Sequence, residues 1–379
     1  MSVFVESINI ISSLGWSIKD NYHNVISDIS GIKLHDNKNL SDIEFYASLI
    51  DNSLIDLEFD KISNNPNFTR FEKLCILSIS KSLKGSNIDI KSPRTIIILS
   101  STKGNIELLD YNSDNFGDGD RIHLWASAKV IGDFFNSPNS PLIVSNACIS
   151  GVLGLLLAKR VIDMGLYDNA VVIGADIVSK FIVSGFQSFL SLSSLPCKPF
   201  DKKRNGLTLG EASSTIILTN EENIIKDDKI ELFSGAVNND ANHISGPSRT
   251  GEGLFLAIKK TLDSNSSVDV ISAHGTATIF NDNMESKAIF RAGLSNVYVN
   301  SLKGYFGHTL GASGILESAI SIEAMKSNKI IRTLGFNEFG VEEDILISDK
   351  LIDKNIKNLL KLSSGFGGCN ATILFKKHD

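Results

Sequence analysis

Short apolar runs alternate with stretches of helical periodicity along most of this chain. Thr95–Ser100 and Ala170–Ala175 are almost wholly apolar, as is typical of strands buried on both faces of a parallel sheet. Arg70–Leu83 and the stretch after Cys148 instead repeat apolar residues three and four positions apart, which predicts helices with one apolar face. Strand–helix alternation of this kind predicts an α/β fold with helices covering the faces of the sheets.

The alternation occurs twice, on either side of an acidic and lysine-rich stretch at residues 221–229. The predicted strands are Val3–Ile11, Thr95–Ser100, Leu142–Val144, Ala170–Ala175 and Ser213–Thr219 in the first run, and Ile230–Val237, Val268–Ala273, Val297–Asn300, Leu359–Ser363 and Ala371–Phe375 in the second. Two similar runs predict an internally duplicated α/β fold with halves at residues 1–225 and 226–379. Residues 34–65 are polar and weakly periodic, so we expect loops and short helices there.

Composition narrows the class of protein without identifying it. The 379 residues are 42% hydrophobic and 21% charged, as in ordinary globular enzymes, and the net charge of −6 argues against general affinity for nucleic acid. The four cysteines have no paired spacing, so neither a disulfide framework nor a zinc site is predicted. The sequence shows no secretory signal and no apolar run long enough to span a bilayer, so we expect a cytoplasmic protein.

Cys148 lies where the predicted strand Leu142–Val144 gives way to a predicted helix. A helix N-terminus favours anions, so this position predicts a lowered thiol pKa and a nucleophilic thiolate. The small neighbours Ala147, Ser150 and Gly151 leave room for a substrate to approach the sulfur. A buried structural cysteine is the alternative interpretation, because free cysteines are among the most buried residues.

Two histidines and a lysine follow other predicted strands in segments rich in small residues. His274 begins His274-Gly-Thr-Ala-Thr278, and Lys303 and His308 bound Lys303-Gly-Tyr-Phe-Gly-His308. In parallel α/β proteins the carboxyl ends of the strands meet at one edge, where ligands bind. We therefore expect Cys148, both histidines and the lysine to lie together at that edge.

Three motifs in this order resemble those of the elongating β-ketoacyl-acyl carrier protein synthases, the Cys-His-His condensing enzymes of the thiolase superfamily. The motifs are Asn146-Ala-Cys148, His274-Gly-Thr-Ala-Thr278 and Lys303 through His308. The supporting segments are Lys198–Gly206, Leu209-Gly-Glu211, Asp282 with Glu285, Leu310–Gly314 with Glu317, and Gly365-Phe-Gly-Gly368 with Asn370. The resemblance covers roughly residues 95–375 and implies a thiolase-like αβαβα layered fold with two mixed sheets.

The resemblance also implies a reaction. The family elongates an acyl chain on acyl carrier protein (ACP) by decarboxylative Claisen condensation with malonyl-ACP, through an acyl-cysteine intermediate, in fatty acid or polyketide biosynthesis. Cys148 would be the nucleophile, while His274 and His308 would donate hydrogen bonds to the malonyl thioester oxygen. The backbone N–H groups of Cys148 and Phe366 would bind the oxyanion, and the Phe366 ring would act as a gate for the acyl chain.

Four further residues receive supporting roles from the same resemblance. Lys303 and Glu317 would order the site around His308. Thr276 and Thr278 would hydrogen-bond the pantetheine arm, although their hydroxyls also suit simple turn chemistry. The resemblance implies neither a metal nor a redox cofactor, since the 4'-phosphopantetheine group arrives on the carrier protein.

The implied partners are ACP and a homologous ketosynthase subunit, in a homodimer or a heterodimer. We expect the sheets of the two subunits to meet through Ala170–Ala175, because so apolar a strand would be hazardous at a free edge. Carrier proteins of this class are acidic, which predicts docking on a basic patch. The candidate docking residues are Arg70, Lys73, Lys202, Lys203 and Arg204.

The chain departs from the family's pattern in two places. Residues 12–95 are shorter and more polar than expected, and Ile279-Phe280 stands where the family usually has Pro and a small residue. The compact first half resembles synthases of specialised polyketide or aryl-polyene-type pathways rather than those of fatty acid elongation.

Two other functions stay open at this point. One is a ketosynthase-like partner subunit that sets chain length in a heterodimer, although such subunits typically lack the nucleophilic cysteine that Cys148 supplies. The other is a thiolase acting on coenzyme A thioesters with a Cys-His-Cys set, for which Cys369 is the second candidate cysteine. Because His308 occupies the third catalytic place of the condensing enzymes, we interpret Cys369 as a packing residue.

Overall fold

A computed structural model describes residues 1–109, 119–225, 228–263 and 266–378. The described residues form ten α-helices and fifteen β-strands. The helices are α1 (Ile18–Ile26), α2 (Asn52–Phe59), α3 (Arg70–Leu83), α4 (Leu124–Phe134), α5 (Ser150–Asp163), α6 (Lys180–Ser188), α7 (Glu252–Thr261), α8 (Ile279–Arg291), α9 (Lys303–Phe306) and α10 (Ser313–Lys326). The strands are β1 (Phe4–Ser12), β2 (Lys33–His35), β3 (Phe45–Ser48), β4 (Thr95–Ser100), β5 (Leu142–Val144), β6 (Asn169–Asp176), β7 (Leu209–Gly210), β8 (Ala212–Thr219), β9 (Ile230–Asn239), β10 (Val270–Ser272), β11 (Tyr298–Asn300), β12 (Lys329–Ile330), β13 (Ile352–Asp353), β14 (Asn358–Gly365) and β15 (Cys369–Lys377).

Ten of these strands form two five-stranded mixed sheets with the same internal order. The first sheet runs β1-β8-β6-β4-β5 and the second runs β9-β15-β14-β10-β11. When the five strands of each half are numbered along the chain, both sheets have the order 1-5-4-2-3. In each sheet the first two neighbouring pairs in this order are antiparallel, and the last two pairs are parallel, so the middle strand belongs to both kinds of pair. The sheets join at the pair Phe4–Glu231. The repeated order confirms the predicted internal duplication and the two mixed sheets.

Helices form three layers around these two sheets. α5 and α10 pack against each other between the inner faces of the sheets, and α10 is buried almost all round, as a central helix must be. α3 covers the outer face of the first sheet, whereas α7 and α8 cover the second. This αβαβα order is the predicted layered fold.

The strand predicted to join two subunits is not an edge strand. β6, which contains Ala170–Ala175, is hydrogen-bonded to β4 on one side and to β8 on the other. The prediction that subunits meet through this strand is therefore wrong, because an apolar run is equally typical of a central strand. The outermost strand of the first sheet is β5, whose Ile143 is 37% exposed.

The polar segment at residues 34–65 is more ordered than its sequence suggested. β2 and β3 pair with each other, and β3 also pairs with β7, which directly precedes Glu211. This small sheet ties the segment to the first half of the chain. The predicted linker at residues 221–229 includes residues 226 and 227, which lie outside the described residues, so the domain boundary at 225/226 stays a prediction. Among the described residues, no helix is both long and apolar enough to cross a membrane.

Candidate active site

The backbone around Cys148 holds its sulfur at the end of a strand and just before a helix. Ala147 adopts a left-handed conformation (φ +44°), which few non-glycine residues tolerate, and α5 begins two residues after the cysteine. The final loop approaches so closely that a side chain at Gly365 would place its first carbon 3.0 Å from the Cys148 nitrogen. The backbone N–H of the next residue, Phe366, acts to lower the pKa of the Cys148 thiol.

The environment of the Cys148 thiol corrects one sequence-based prediction. Burial raises its pKa to about 11, while the Lys303 cation and the Phe366 N–H act in the opposite direction. The prediction of a lowered thiol pKa is therefore wrong for the site without substrate. The loss of water around a side chain that is only 8% exposed is the largest cause of this shift.

Two buried carboxylates shape the loop that carries His274. Glu285 accepts hydrogen bonds from the backbone N–H groups of His274 (2.7 Å) and Gly275 (2.6 Å). Asp282 accepts from the N–H of Thr276 (3.0 Å), and its other oxygen accepts from Phe200 (2.8 Å). Burial raises the pKa of Glu285 to about 7. Both acids therefore act on the backbone of the loop, at the spacing that the sequence indicated.

His308 is fixed mainly through its backbone. Its N–H donates to Thr208 O (2.6 Å), and its carbonyl accepts from the N–H of Gly210 (3.0 Å). The ring nitrogen Nδ1 accepts a hydrogen bond from the N–H of Leu310 (3.0 Å). Because a backbone N–H can only donate, the proton of the neutral His308 ring lies on Nε2.

His274 is held in the same tautomer by a side chain. The ammonium group of Lys303 lies 3.4 Å from His274 Nδ1 and can only donate, which leaves the ring proton on Nε2. Burial lowers the pKa of both histidines well below the ordinary value, and the cations of Lys303 and Lys361 lower them further. Both rings are therefore neutral at physiological pH, and each has one N–H to donate.

Cys148 and the two histidines form one compact group. The cysteine sulfur and one ring nitrogen of each histidine all lie within 4.8 Å of one another, and the two rings meet edge to face at 5.0 Å. Sulfur and imidazole are also ligands that zinc prefers, but an ion held there would cover the nucleophile. We assign no metal role to the group, and the absence of a metal stays a prediction.

A buried network of charges lies behind His274. Glu317 pairs through one carboxylate oxygen with Lys303 and through the other with Lys361, and all three side chains are almost completely buried. Lys303 connects this network to the imidazole of His274. Lys303 and Glu317 therefore lie where the sequence predicted, although the contact is with His274 rather than His308.

A cavity of about 460 Å³ opens on this group of side chains. Thr276 and Thr278, whose hydroxyl groups lie 2.9 Å apart, line it, as do Ile279 and Phe280, the pair that departs from the family's pattern. The Phe366 ring also lines the cavity and packs against Phe186 and Phe189. A half-buried ring at this position is not a plain core residue. The cavity therefore joins the predicted nucleophile, histidines, pantetheine-binding threonines and gate residue.

Two of the predicted docking residues are structural. Arg70 forms a paired contact with both oxygens of Glu211 (2.7 Å each) and donates to Ile50 O (3.0 Å). Arg204 is buried, and it donates to Asp201 O (3.0 Å) and Asn283 Oδ1 (2.8 Å). We withdraw both from the docking set, because their guanidinium groups already have partners inside the protein.

The three lysines of that set differ in how available they are. Lys73 is mostly covered and pairs with Asp56 (2.7 Å). Lys202 is exposed and pairs with Glu338 (2.6 Å), and Lys203 is exposed beside it. Lys202 and Lys203 lie a few residues before Asn205, which lines the cavity. Docking on these two lysines stays a prediction.

Sequence reasoning missed two parts of the site. Lys361 was overlooked, although a lysine within the otherwise apolar run Leu359–Leu362 is a signal of a buried charge. The loop from His243 to Pro247 also contributes to the cavity wall. Its sequence carries no pattern that distinguishes a cavity wall from a surface loop.

A neutral Cys-His-His group at the carboxyl ends of strands in a duplicated αβαβα fold defines a condensing enzyme of the thiolase superfamily. The family model described as "Beta-ketoacyl synthase, N-terminal domain" matches residues 3–223, and "Beta-ketoacyl synthase, C-terminal domain" matches residues 231–337. The chain therefore belongs to the β-ketoacyl synthase family, and the sequence-based recognition of this family is confirmed.

Curated relatives agree with this assignment. The "3-oxoacyl-[acyl-carrier-protein] synthase 2" of Staphylococcus aureus (strain COL) is 26% identical over 417 residues, covering 100% of this chain and 98% of the relative. The "3-oxoacyl-[acyl-carrier-protein] synthase homolog" of Saccharomyces cerevisiae is 31% identical over 315 residues, covering 74% of this chain and 71% of the relative.

Solved structures show the same fold at lower sequence identity. A structure described as a type II PKS acyl-carrier protein in complex with its ketosynthase, bound to the hexaketide, matches with a TM-score of 0.87 at 20% identity, covering 99% of both chains. The ketosynthase/chain length factor of ishigamide matches with a TM-score of 0.86 at 22% identity, covering 100% of this chain and 99% of that one.

Proposed function

We propose that this chain is a β-ketoacyl-ACP synthase that elongates an ACP-bound acyl chain with malonyl-ACP, releasing carbon dioxide. The observation that carries the proposal is the group formed by one nucleophilic sulfur and two neutral imidazoles within 4.8 Å. Both histidines present an Nε2–H, which is the donor that a developing enolate oxygen needs. A general base would need an unprotonated nitrogen in the same place, so the group favours oxyanion stabilisation over proton abstraction.

The first half-reaction is acyl transfer. The Cys148 sulfur attacks the thioester carbonyl of acyl-ACP, the C–S bond to the pantetheine breaks, and the thiol proton leaves with the carrier-protein thiol. The N–H groups of Cys148 and Phe366 stabilise the intermediate oxyanion. The Phe366 N–H and the positive charge of Lys303 both lower the pKa of the thiol and so favour the thiolate at the moment of attack.

The second half-reaction forms the new carbon–carbon bond. Malonyl-ACP loses carbon dioxide, and the electron pair of the broken bond becomes an enolate whose oxygen accepts from His274 and His308. The enolate carbon attacks the acyl-Cys148 carbonyl, and the sulfur leaves as thiolate. Over the whole cycle acyl-ACP, malonyl-ACP and one proton give 3-oxoacyl-ACP, carbon dioxide and free carrier-protein thiol.

The substrates reach the site on the carrier protein, and no other cofactor is needed. Thr276 and Thr278 are in place to hydrogen-bond the pantetheine arm along the cavity, and the Phe366 ring moves when the acyl chain enters. The exposed lysines Lys202 and Lys203 attract the acidic carrier protein. Fatty acid and polyketide synthesis both use this reaction, and a specialised polyketide pathway stays a prediction.

We further propose that two ketosynthase subunits associate through β5. This strand has an open edge in the first sheet and exposes Ile143. An open apolar edge is prone to pair with another chain, and a second subunit would cover it. Sedimentation should give a dimer for the purified chain if it is a homodimer, and Ile143→Arg should give monomers. A wild-type chain that is monomeric alone and dimeric only with a homologous subunit would indicate a heterodimer.

A thiolase and a non-catalytic partner subunit make different predictions. Cys369 lies beside the site, where its Sγ contacts Asn146 Oδ1 at 3.0 Å, but it does not line the cavity as Cys148 does. Wild-type protein should take up acyl mass on the Cys148 peptide and release labelled carbon dioxide from malonyl-ACP. A thiolase would cleave 3-oxoacyl-CoA without releasing carbon dioxide, and a partner subunit would do neither.

A further inference from the structure

Lys361 is a fully buried lysine with every ammonium proton engaged. Its Nζ donates to Ser272 O (3.3 Å), to Ala273 O (3.2 Å) and to Glu317. The side chain rises from β14, a strand that is otherwise filled with apolar and small residues. A buried ion pair can usually be replaced by apolar side chains at little cost, so stability alone does not account for this lysine.

Two structural paths lead from Lys361 to His274. Ala273, whose carbonyl accepts from the lysine, directly precedes the histidine. Along the other path, Glu317 joins Lys361 to Lys303, and Lys303 contacts His274 Nδ1. The lysine therefore restrains both the end of β10 and the group that sets the tautomer of the ring.

We propose that Lys361 is a positioning residue of the condensing site, which keeps His274 neutral with its proton on Nε2 by sharing Glu317 with Lys303. The proposal deepens the proposed function and rests on it. Within the ion-paired group, Lys361 and Lys303 carry two positive charges against the single negative charge of Glu317, while Glu285 also interacts electrostatically with Lys361 but is hydrogen-bonded to the backbone N–H groups of His274 and Gly275. The surplus cation faces the two imidazoles and opposes a second proton on either ring.

The other charged groups around His274 do not replace this effect. Glu285 and Asp282, on α8, bond to the backbone of the loop and are themselves buried. His308 and Cys148 contribute no charge in their neutral forms. Burial lowers the pKa of Lys361 itself, while Glu317 acts to raise it, so the lysine depends on this carboxylate to remain charged.

The test measures the ring state of His274 and His308 directly. Protein with isotope-labelled histidine is titrated by nuclear magnetic resonance, and the two signals are assigned through their Ala variants. Lys361→Met should raise both ring pKa values, because one of two facing cations is lost. Adding Glu317→Gln removes the carboxylate as well, restores one net positive charge, and should return both values toward wild type. Lys377→Met removes a lysine of β15 that bonds elsewhere and should change neither ring.

The same variants are then assayed for carbon dioxide release from malonyl-ACP against pH. The acid limb of the profile should move to higher pH in Lys361→Met, because the rings become protonated at higher pH once one of the two facing cations is lost. The limb should move back in the double variant. A merely structural role would lower activity at all pH values and would not be reversed by Glu317→Gln.

Failure of this proposal can be told apart from failure of the proposed function. Unchanged ring pKa values in Lys361→Met, or no return in the double variant, overturn the role of Lys361 even if wild-type protein condenses. Wild-type protein that releases no carbon dioxide overturns the proposed function, and the ring titration still decides the role of the lysine. If Lys361→Met does not fold, the ring pKa values of Glu317→Gln are compared with those of the double variant. These two proteins differ only at Lys361, so the comparison measures the same loss of one cation.

Discussion

The segment around Cys148, in the N-terminal half of the molecule, is held by backbone geometry, whereas the loop of His274, in the C-terminal half, is held by buried charges. Cys148 depends on a left-handed turn, a helix start and the N–H of Phe366. His274 depends on Glu285 and on the network behind Lys303. The two halves have the same strand order, so the fold alone does not dictate this difference. From this difference we expect acyl transfer to depend mainly on geometry and decarboxylation to depend mainly on electrostatics.

The largest expected effect comes from removing the nucleophile. Cys148→Gln should take up no acyl mass and form no 3-oxoacyl product. The variant has no nucleophilic sulfur, and the backbone N–H groups around the position can only donate hydrogen bonds. It should still release carbon dioxide from malonyl-ACP, since a neutral amide resembles the acylated cysteine and the histidines are unchanged. Intact-protein mass and labelled carbon dioxide release measure the two outcomes. Acylation at Cys75, Cys197 or Cys369 would contradict the assignment.

The converse change tests the C-terminal half. His274→Ala removes one of two donors to the enolate oxygen, and we expect carbon dioxide release and condensation to fall by about 10²–10³-fold. Acyl loading of Cys148 should continue, since its backbone contacts are intact. His308→Ala serves as the matched variant and should also lose condensation, with slower loading because that ring also lies near the Cys148 sulfur. Wild-type carbon dioxide release by His274→Ala would refute the role of the histidine.

The pH dependence of thiol labelling sharpens the contrast between the two halves. With its pKa raised to about 11, Cys148 is protonated at pH 7, and its thiolate fraction grows about tenfold per pH unit until the pKa is approached. We therefore expect the rate of alkylation by iodoacetamide to rise about 100-fold from pH 7 to pH 9. Peptide mass spectrometry assigns the label, and Cys148→Ala gives the background. A rate that levels off below pH 8 would show that the site already stabilises the thiolate without substrate.

The smallest effect is expected at the surface, away from both halves of the site. Lys203→Glu should raise the KM for the carrier protein by a few-fold at low salt while kcat stays constant, because exposed charges act weakly and are screened. Lys91→Glu is the matched control, since Lys91 is exposed before β4 and therefore at the opposite edge of the sheet from the cavity. A change in kcat, or an equal effect at Lys91, would remove Lys203 from the docking surface.

Much of the fold and site was accessible from the sequence. Strands such as β4 and β6 contain contiguous apolar runs, so the chain's local pattern reveals them. Cys148 and His274 lie a few residues after β5 and β10, and His308 follows β11 after the short helix α9, so each is embedded in a continuous motif that the sequence shows. The predicted fold class, duplication and family are confirmed for this reason. The roles of the individual site residues stay predictions for the experiments above.

Other features were decided only when distant segments came together. An apolar strand can lie at the centre or at the edge of a sheet, and only strand pairing distinguished β6 from β5. Arg70 and Lys203 look alike in sequence, but Glu211 covers the guanidinium of Arg70 while Lys203 stays exposed. Side-chain availability depends on partners that no local pattern reveals.

The thiol pKa of Cys148 and the burial of Lys361 are both set by how distant segments of the chain pack together. The sequence by itself determined that a cysteine would stand at a helix start and that a lysine would interrupt an apolar strand. Tertiary structure decided how far each is removed from water and which charges face it. Desolvation and buried ion pairs are long-range properties of the packed chain, and burial is the largest cause of the raised thiol pKa of Cys148.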